Sequence, residues 1–121
     1  MRKIFKILSV EEWQNFKKTG RFLGSFVDVR DGFIHFSYAD QLEETARRHF
    51  SGRDDLVLLA VDPAGLGDSL RDEISRGGAF FPHLFAPLFI RDVVWDRPIG
   101  CDEAGMPVLP ALDSHPVQGT P

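Results

Sequence analysis

The stretch Leu56-Val57-Leu58-Leu59-Ala60-Val61 decides the fold of this 121-residue chain. Its six apolar residues match the length of one buried strand, and they fall far short of the ~20 residues that span a bilayer. An unbroken apolar run is typical of a central strand covered on both faces, and Asp62-Pro63 ends it. The stretch therefore predicts a sheet with this strand inside it, and no membrane span.

The segment before this strand carries the clearest helix signals. Ser9 and Glu12 form a capping box, and Gly20 supplies a left-handed stop after apolar residues at helical spacing. Leu42 and Ala46 fall on one side of a second helical segment. The pattern predicts a strand over residues 3–8, a helix over 9–20, a loop or ragged strand over 20–32, a strand over 33–36 and a helix over 38–50.

The segment after the central strand is mostly strand and loop. Residues 70–74 alternate as a short strand, Ser75-Arg76-Gly77-Gly78 breaks it, and residues 79–90 are rich in aromatic residues and proline. A last strand is predicted over 91–95, and five of the eight prolines follow in residues 98–121. We therefore predict one domain over residues 1–97 and a proline-rich C-terminal tail over 98–121, packed near 108–112 and loose beyond.

The order of these elements predicts the fold class. Two early helices followed by strands favour an α+β fold with a curved mixed or antiparallel sheet and the helices to one side. A doubly wound sheet is disfavoured, since no G-x-G-x-x-G fingerprint of a dinucleotide-binding Rossmann unit follows a strand.

Charge and cysteine content limit the function classes. The net charge is −4 and no dense block of lysine or arginine is present, which disfavours general nucleic-acid binding. A single nucleotide needs only one or two arginines, so it stays open as a ligand. Cys101 is the lone cysteine, the N-terminus lacks the apolar run of a signal peptide, and no Cys/His spacing suits zinc. We expect a cytoplasmic location and no metal, and the oligomeric state stays open.

The segment Asp31-Gly32-Phe33-Ile34-His35-Phe36-Ser37 is the first candidate for a binding site. Strand alternation places His35 and Ser37 on one face. An imidazole both donates and accepts hydrogen bonds, which suits the two hydroxyls of a ribose. Two other interpretations stay open: Ser37 as the N-cap of the second helix, and His35 as a hydrogen-bonded core histidine.

The second candidate segment runs from Glu73 to His83. The glycine pair Gly77-Gly78 lets the backbone approach an anion closely, while the Arg76 guanidinium forks onto it. The proline before His83 restricts the backbone and holds that imidazole in place. The alternatives are a hairpin loop whose solvated arginine pairs with Glu73 or Asp72, and a buried hydrogen-bonded histidine at His83.

Several motifs occur in a fixed order along the chain: Ile4-Phe5-Lys6-Ile7, Glu12-Trp13, Asp31-Gly32-Phe33-Ile34-His35-Phe36-Ser37, Ser75-Arg76-Gly77-Gly78-Ala79 and Phe81-Pro82-His83-Leu84. Over residues 3–97 this pattern resembles a bacterial family known only as domain of unknown function 952. The resemblance implies a fold like that of ADP-ribosyltransferases, in which a nicotinamide dinucleotide binds between the halves of a split β-sheet pair. His35-Phe36-Ser37 and Val61-Asp62 are also similar to motifs of RNA 2′-phosphotransferases, which share that fold.

Together these patterns give two hypotheses. The first is an enzyme that binds a nucleotide such as NAD and acts on a glycosidic or phosphoryl bond. Its residues would be His35 and Ser37 on the ribose or nicotinamide, Arg76 with Gly77 and Gly78 on phosphate, Glu73 beside a developing positive charge, and His83 as general acid or base. The alternative is a non-catalytic module that binds a small molecule or protein in the same cleft, because the first strand lacks the His-Gly-Thr triplet usual in the transferases.

Overall fold

The computed structural model describes residues 2–112. Its helices are Val10–Thr19 (α1), Phe26–Asp31 (α2) and Leu42–Phe50 (α3). Its strands are Ile4–Ser9 (β1), Arg21–Phe22 (β2), Ile34–His35 (β3), Leu56–Val61 (β4), Leu70–Ile74 (β5), Phe80–Leu84 (β6), Leu88–Phe89 (β7), Val93–Cys101 (β8) and Pro107–Val108 (β9). None of the helices in residues 2–112 is long and apolar enough to cross a membrane. The loose end predicted for the tail, residues 113–121, lies outside the described residues.

The named strands pair in antiparallel fashion throughout. β4 lies between β1 and β8 in a four-stranded sheet of order β1-β4-β8-β9. A three-stranded sheet has the order β3-β6-β5, and β2 pairs with β7. Paired backbone hydrogen bonds between Phe5 and Ser37 join the two larger sheets. The prediction of an α+β fold with a curled antiparallel sheet is therefore confirmed.

The two faces of the four-stranded sheet carry separate apolar cores. On one face, alternate residues of β4 pack against Trp13 and Phe16 of α1. On the other face, the intervening residues of β4 pack against Leu42 and Ala46 of α3. The expectation that the helices lie to one side of the sheet is wrong, because a central strand that is apolar on both faces needs a cover on both.

Residues 20–32 differ most from the sequence prediction. In place of a loop or ragged strand, the chain forms β2 and then the six-residue helix α2. The Ser25 amide donates to Asp28 Oδ2 at 2.9 Å at the start of α2, and Gly32 ends the helix with a φ of 88°. A helix of this length is too short to show an apolar period, which explains why the pattern did not predict it.

The last long strand extends further than predicted. β8 runs to Cys101, past the predicted strand over 91–95 and across the predicted boundary at residue 97. Ile99 is buried, and β9 pairs with Gly100 and Cys101. Leu109 and Leu112 pack against the core that α3 covers. Because β8 contains polar residues and a proline, its sequence does not show the alternation of an amphipathic strand.

Candidate functional site

A cleft of about 740 Å³ lies where the two larger sheets meet, with α2 and α3 contributing to its walls. β1 contributes Phe5, Lys6 and Ile7, while His35 and His83 come from the second sheet. This volume is within the range of about 300–1,000 Å³ that is typical of small-molecule sites. The cleft is therefore large enough for a ligand of nucleotide size.

Asp28 of α2 is a buried carboxylate in this cleft, with 2% of its surface exposed. Its Oδ2 lies 2.8 Å from Lys6 Nζ, and its Oδ1 lies 2.6 Å from His35 Nδ1. The backbone amides of Ser25 and His35 also donate to this carboxylate, at 2.9 and 3.1 Å. The Asp28 side chain thus connects α2 to both β1 and β3.

Opposing effects set the pKa of Asp28. Burial raises the pKa of this carboxyl, but the hydrogen bond from His35 and the charge of Lys6 outweigh burial and hold its pKa at about 2, below the ordinary 3.8. Burial in turn lowers the pKa of Lys6, and the neighbouring Asp28 offsets part of that effect. The Asp28 carboxyl is ionised at neutral pH and supplies the counter-charge that a buried lysine requires.

His35 is held by carboxylates on both sides of its ring. Besides Nδ1 on Asp28, its Nε2 lies 3.1 Å from Asp31 Oδ2. Asp31 also accepts a hydrogen bond from its neighbour Arg30, at 2.9 Å. About a third of the His35 side chain is exposed, so the ring lies at the cleft surface with a fixed orientation.

Arg76 forms a second polar group in the cleft. Its Nη2 donates to Thr45 Oγ1 at 3.1 Å, and its Nη1 lies 3.5 Å from His49 Nε2. Thr45 Oγ1 lies 3.2 Å from Ser37 Oγ, and the guanidinium lies 4.9 Å from the centre of the Phe81 ring. Partial burial and the charge of Arg76 lower the pKa of His49. A guanidinium beside an imidazole and two hydroxyls suits an anion such as phosphate.

His83 of β6 is a buried histidine that pairs across the strands with His35 of β3. It is 4% exposed, and its Nδ1 lies 2.8 Å from Glu73 Oε1. The Phe33 ring stacks on it at 4.1 Å, and the His35 ring lies edge-on at 5.4 Å. Its Nε2 has no hydrogen-bond partner among residues 2–112.

The cleft unites some of the predicted site residues and leaves out others. It is lined by His35, Ser37, Arg76 and His83, whereas Glu73, Gly77 and Gly78 are not among its lining residues. Arg76 bonds to Thr45 and lies beside His49, and within residues 2–112 it forms no ion pair with Glu73 or Asp72. The alternative in which Arg76 pairs with one of these acids is therefore wrong. The N-cap alternative for Ser37 is also wrong, because Tyr38 precedes the first helical turn. The two glycines occupy the turn between β5 and β6 with positive φ, as the hairpin interpretation expects.

The cleft contains polar residues that the sequence did not predict as site residues, among them Lys6, Asp28, Thr45 and His49. A lysine in the middle of an otherwise apolar strand is a usable signal, since a buried ammonium needs a counter-charge. Thr45 and His49 are four residues apart and share one face of α3, which also marks them as neighbours. Asp28 has no comparable signal, because its helix was not predicted.

The comparisons with known proteins identify a family and a protein of known structure, and neither name states an activity. The chain matches the family described as "Protein of unknown function (DUF952)" over residues 7–96. The crystal structure of protein CC0527 from Caulobacter crescentus is 50% identical with a TM-score of 0.84, and the match covers 87% of this chain and 92% of that chain. The solution NMR structure of CC0527 is also 50% identical, with a TM-score of 0.80 over 88% of this chain and 92% of that chain. No curated protein matches the chain.

Proposed function

This chain belongs to the DUF952 family, and from the geometry of its cleft we propose an enzyme that binds a nucleotide-type ligand such as NAD. Its reaction in this proposal acts on a glycosidic or phosphoryl bond of the nucleotide. The observation that carries the proposal is that His35, Arg76 and His83 line one cleft although they are far apart in the sequence. Groups that converge on one cleft can contact one ligand, as the hypothesis requires.

The phosphate groups of the ligand bind at Arg76 in this proposal. A guanidinium offers a planar fork of donors, and the hydroxyls of Ser37 and Thr45 lie within hydrogen-bonding distance of each other beside it. His49 adds a second basic side chain to the same site. Gly77 and Gly78, which the sequence suggested as phosphate donors, have no part in the proposal because they do not line the cleft.

The sugar and base of the ligand bind nearer to α2. His35 of β3 lies at the cleft surface beside α2, where its ring can contact a ribose or nicotinamide edge. Phe26 of α2 lines the same cleft and is 82% exposed, and Phe50 of α3 lines it as well. An exposed phenylalanine ring at a cleft suits a planar base, since stacking would remove both apolar surfaces from water.

In this proposal, glycosidic cleavage breaks one bond of the nucleotide and forms another. The bond between the sugar carbon and the base nitrogen breaks, the base leaves with the electron pair, and water or an acceptor hydroxyl adds to the sugar carbon. The proton released by that nucleophile passes to water. His83, which the sequence suggested as general acid or base, contacts the ligand in this proposal, and Glu73 acts through that ring because it bonds to it and does not line the cleft.

An ADP-ribosyltransferase-like fold is the finer structural proposal. It is supported by the arrangement of two antiparallel sheets that meet through the Phe5 and Ser37 backbones, with the cleft at their junction. A nucleotide in that position would contact strands of both sheets.

A non-catalytic binding module is the second candidate, and one observation favours it. Both ring nitrogens of His35 already have carboxylate partners, Asp28 and Asp31. A ring held in this way shapes a site but has no free nitrogen for proton transfer. In this alternative the cleft binds the same class of ligand and releases it unchanged.

Incubation of the purified protein with NAD⁺ separates the two candidates. The enzyme predicts release of nicotinamide, detected by chromatography, and loss of that release in His35→Ala. Saturable binding by calorimetry without release would favour the module, whereas the absence of both binding and release would refute the nucleotide proposal.

A matched pair of arginine variants tests the phosphate site. Arg76→Ala should weaken nucleotide binding by tenfold or more, since a charge-assisted hydrogen bond contributes about 1.5–3 kcal/mol. Arg47→Ala is the control, because Arg47 is an exposed residue of α3 that does not line the cleft. Equal effects of the two substitutions would indicate general charge attraction and would contradict a built phosphate site.

A further inference from the structure

The hydrogen bond between His83 and Glu73 fixes the tautomer that the neutral His83 imidazole adopts. An ionised carboxylate only accepts hydrogen bonds, so the hydrogen of the 2.8 Å contact belongs to His83 Nδ1. In the neutral imidazole the other nitrogen then carries a lone pair. In the neutral ring, His83 Nε2 is therefore an acceptor.

This acceptor has no partner in the described part of the chain. His83 Nε2 is buried, and no donor of residues 2–112 reaches it. Buried polar atoms are nearly always hydrogen-bonded in folded proteins, so an exception requires a partner such as a bound water, an ion or a ligand. The ring also lines the cleft. An unpaired acceptor in a lining residue points to a donor supplied from outside the protein.

The surroundings of the ring prevent it from finding a partner by rotation. Phe33 stacks on one face at 4.1 Å, and the ring of His35, its cross-strand neighbour, lies edge-on at 5.4 Å. Glu73 holds Nδ1 at the far side. The position of Nε2 is thus set before any ligand binds, which is a requirement for selective recognition.

We propose that His83 Nε2 accepts a hydrogen bond from a neutral donor of the ligand, either a sugar hydroxyl or a carboxamide N–H, and thereby selects donor-bearing nucleotides. This inference rests on the proposed function, and it adds the chemical group that the ligand must carry. Glu73 is a positioning residue in it, since it fixes which nitrogen of His83 is free to accept. A site with a buried acceptor rejects analogues that lack the donor, because the acceptor would remain unpaired.

The nitrogen-15 NMR spectrum of the full-length protein tests the tautomer without any ligand. The proposal predicts a protonated Nδ1 and a lone-pair Nε2 on His83. In Glu73→Ala the lone pair should be shared between both nitrogens of His83. The control is Asp72→Ala, which removes the neighbouring acid of β5 on the opposite strand face, and there the lone pair should stay on Nε2. A protonated Nε2 in the unchanged protein would overturn the proposal.

Binding measurements then identify the donor. NAD⁺ is compared with its nicotinic acid counterpart, which lacks the carboxamide N–H, and with its 2′-deoxyribose counterparts, which lack a hydroxyl. One of these changes should weaken binding about tenfold in the unchanged protein. That preference should disappear in His83→Phe and decrease in Glu73→Ala. The second variant keeps the buried His83 ring, so it tests the proposal even if His83→Phe does not fold. Tight binding of NAD⁺ with no preference in either comparison overturns the proposal, as does a preference that survives both variants.

The proposed nucleotide binding and the acceptor role of His83 can be refuted separately. If no nucleotide binds, the proposed function is refuted, and the nitrogen spectrum alone decides whether His83 presents an acceptor. If nucleotides bind but the spectrum places hydrogen on Nε2, the proposed function stands and the inference about His83 fails.

Discussion

Replacing Asp28 with asparagine should destabilise this protein strongly. The substitution keeps the side-chain volume but leaves the buried Lys6 without its counter-charge. Removing one partner of a buried ion pair typically costs about 3–5 kcal/mol. The pKa of Asp28 gives a second value: a decrease from 3.8 to about 2 corresponds to about 2 kcal/mol, at about 1.4 kcal/mol per pKa unit. We expect the free energy of unfolding to fall by about 2–4 kcal/mol at pH 7.

The same carboxyl predicts how this loss varies with pH. Folding lowers the pKa of Asp28, so its ionised form stabilises the protein above the unfolded pKa near 3.8, and that stabilisation is lost as the pH falls through about 2. The difference in unfolding free energy between the protein and Asp28→Asn should be constant above about pH 5 and shrink between about pH 4 and pH 2. Other carboxyls titrate in this range in both proteins, so they cancel in the difference.

Urea unfolding at a series of pH values, followed by the fluorescence of Trp13 and Trp95, measures this difference. Asp55→Asn is the matched control, because the Asp55 side chain is exposed and pairs with an exposed arginine, and it should change stability little. A difference for Asp28→Asn below about 1 kcal/mol at pH 7 would refute the reasoning. So would a difference that stays constant down to pH 2.

Three further predictions test other parts of the molecule. Gly24→Ala should destabilise the protein more than Gly20→Ala in urea unfolding: both glycines have positive φ, but only the added Cβ at Gly24 meets Asp28 Cβ, at 2.7 Å. Sulfate keeps a constant charge from pH 8 to pH 5, and it should bind more tightly as the pH falls because its negative charge favours the protonated form of His49. Calorimetry should show a weaker pH dependence of sulfate affinity in His49→Gln. Ser9→Ala should lower the free energy of unfolding by about 1 kcal/mol, since the Ser9 hydroxyl caps α1 at 3.0 Å; an unchanged urea midpoint would contradict that role.

Elements with local signals were predictable from the sequence. α1 has a capping box at Ser9 and Glu12 and a left-handed stop at Gly20, and all three occur in the structure. β4 is apolar along its whole length because both of its faces are covered. The signals of α2 and β8 are weaker, since α2 has six residues and β8 mixes polar and apolar residues along a partly exposed strand. Their formation depends on tertiary contacts that a local pattern does not contain.

The candidate site was partly predictable for a similar reason. His35 and His83 stand out because imidazoles beside apolar strand residues need partners, and the two turn out to be cross-strand neighbours. Arg76 stands out beside two glycines. Asp28 does not stand out, because an aspartate in a polar, glycine-bounded segment is ordinary in a loop. Only the pairing of β1 with its neighbours places Lys6 next to that aspartate.

The attachment of α2 links stability to the chemistry of the cleft. Phe26 and Val29 of this helix are 82% and 66% exposed, whereas Asp28 is buried, so the helix contributes a charge to the protein interior in place of an apolar face. Asp28 also orients His35 at the cleft surface. A substitution at Asp28 therefore changes the position of one cleft wall and the orientation of a site histidine together. Activity lost in such a variant reports on a catalytic role only when urea unfolding shows that the variant is folded under the assay conditions, which makes His35→Ala the cleaner functional variant.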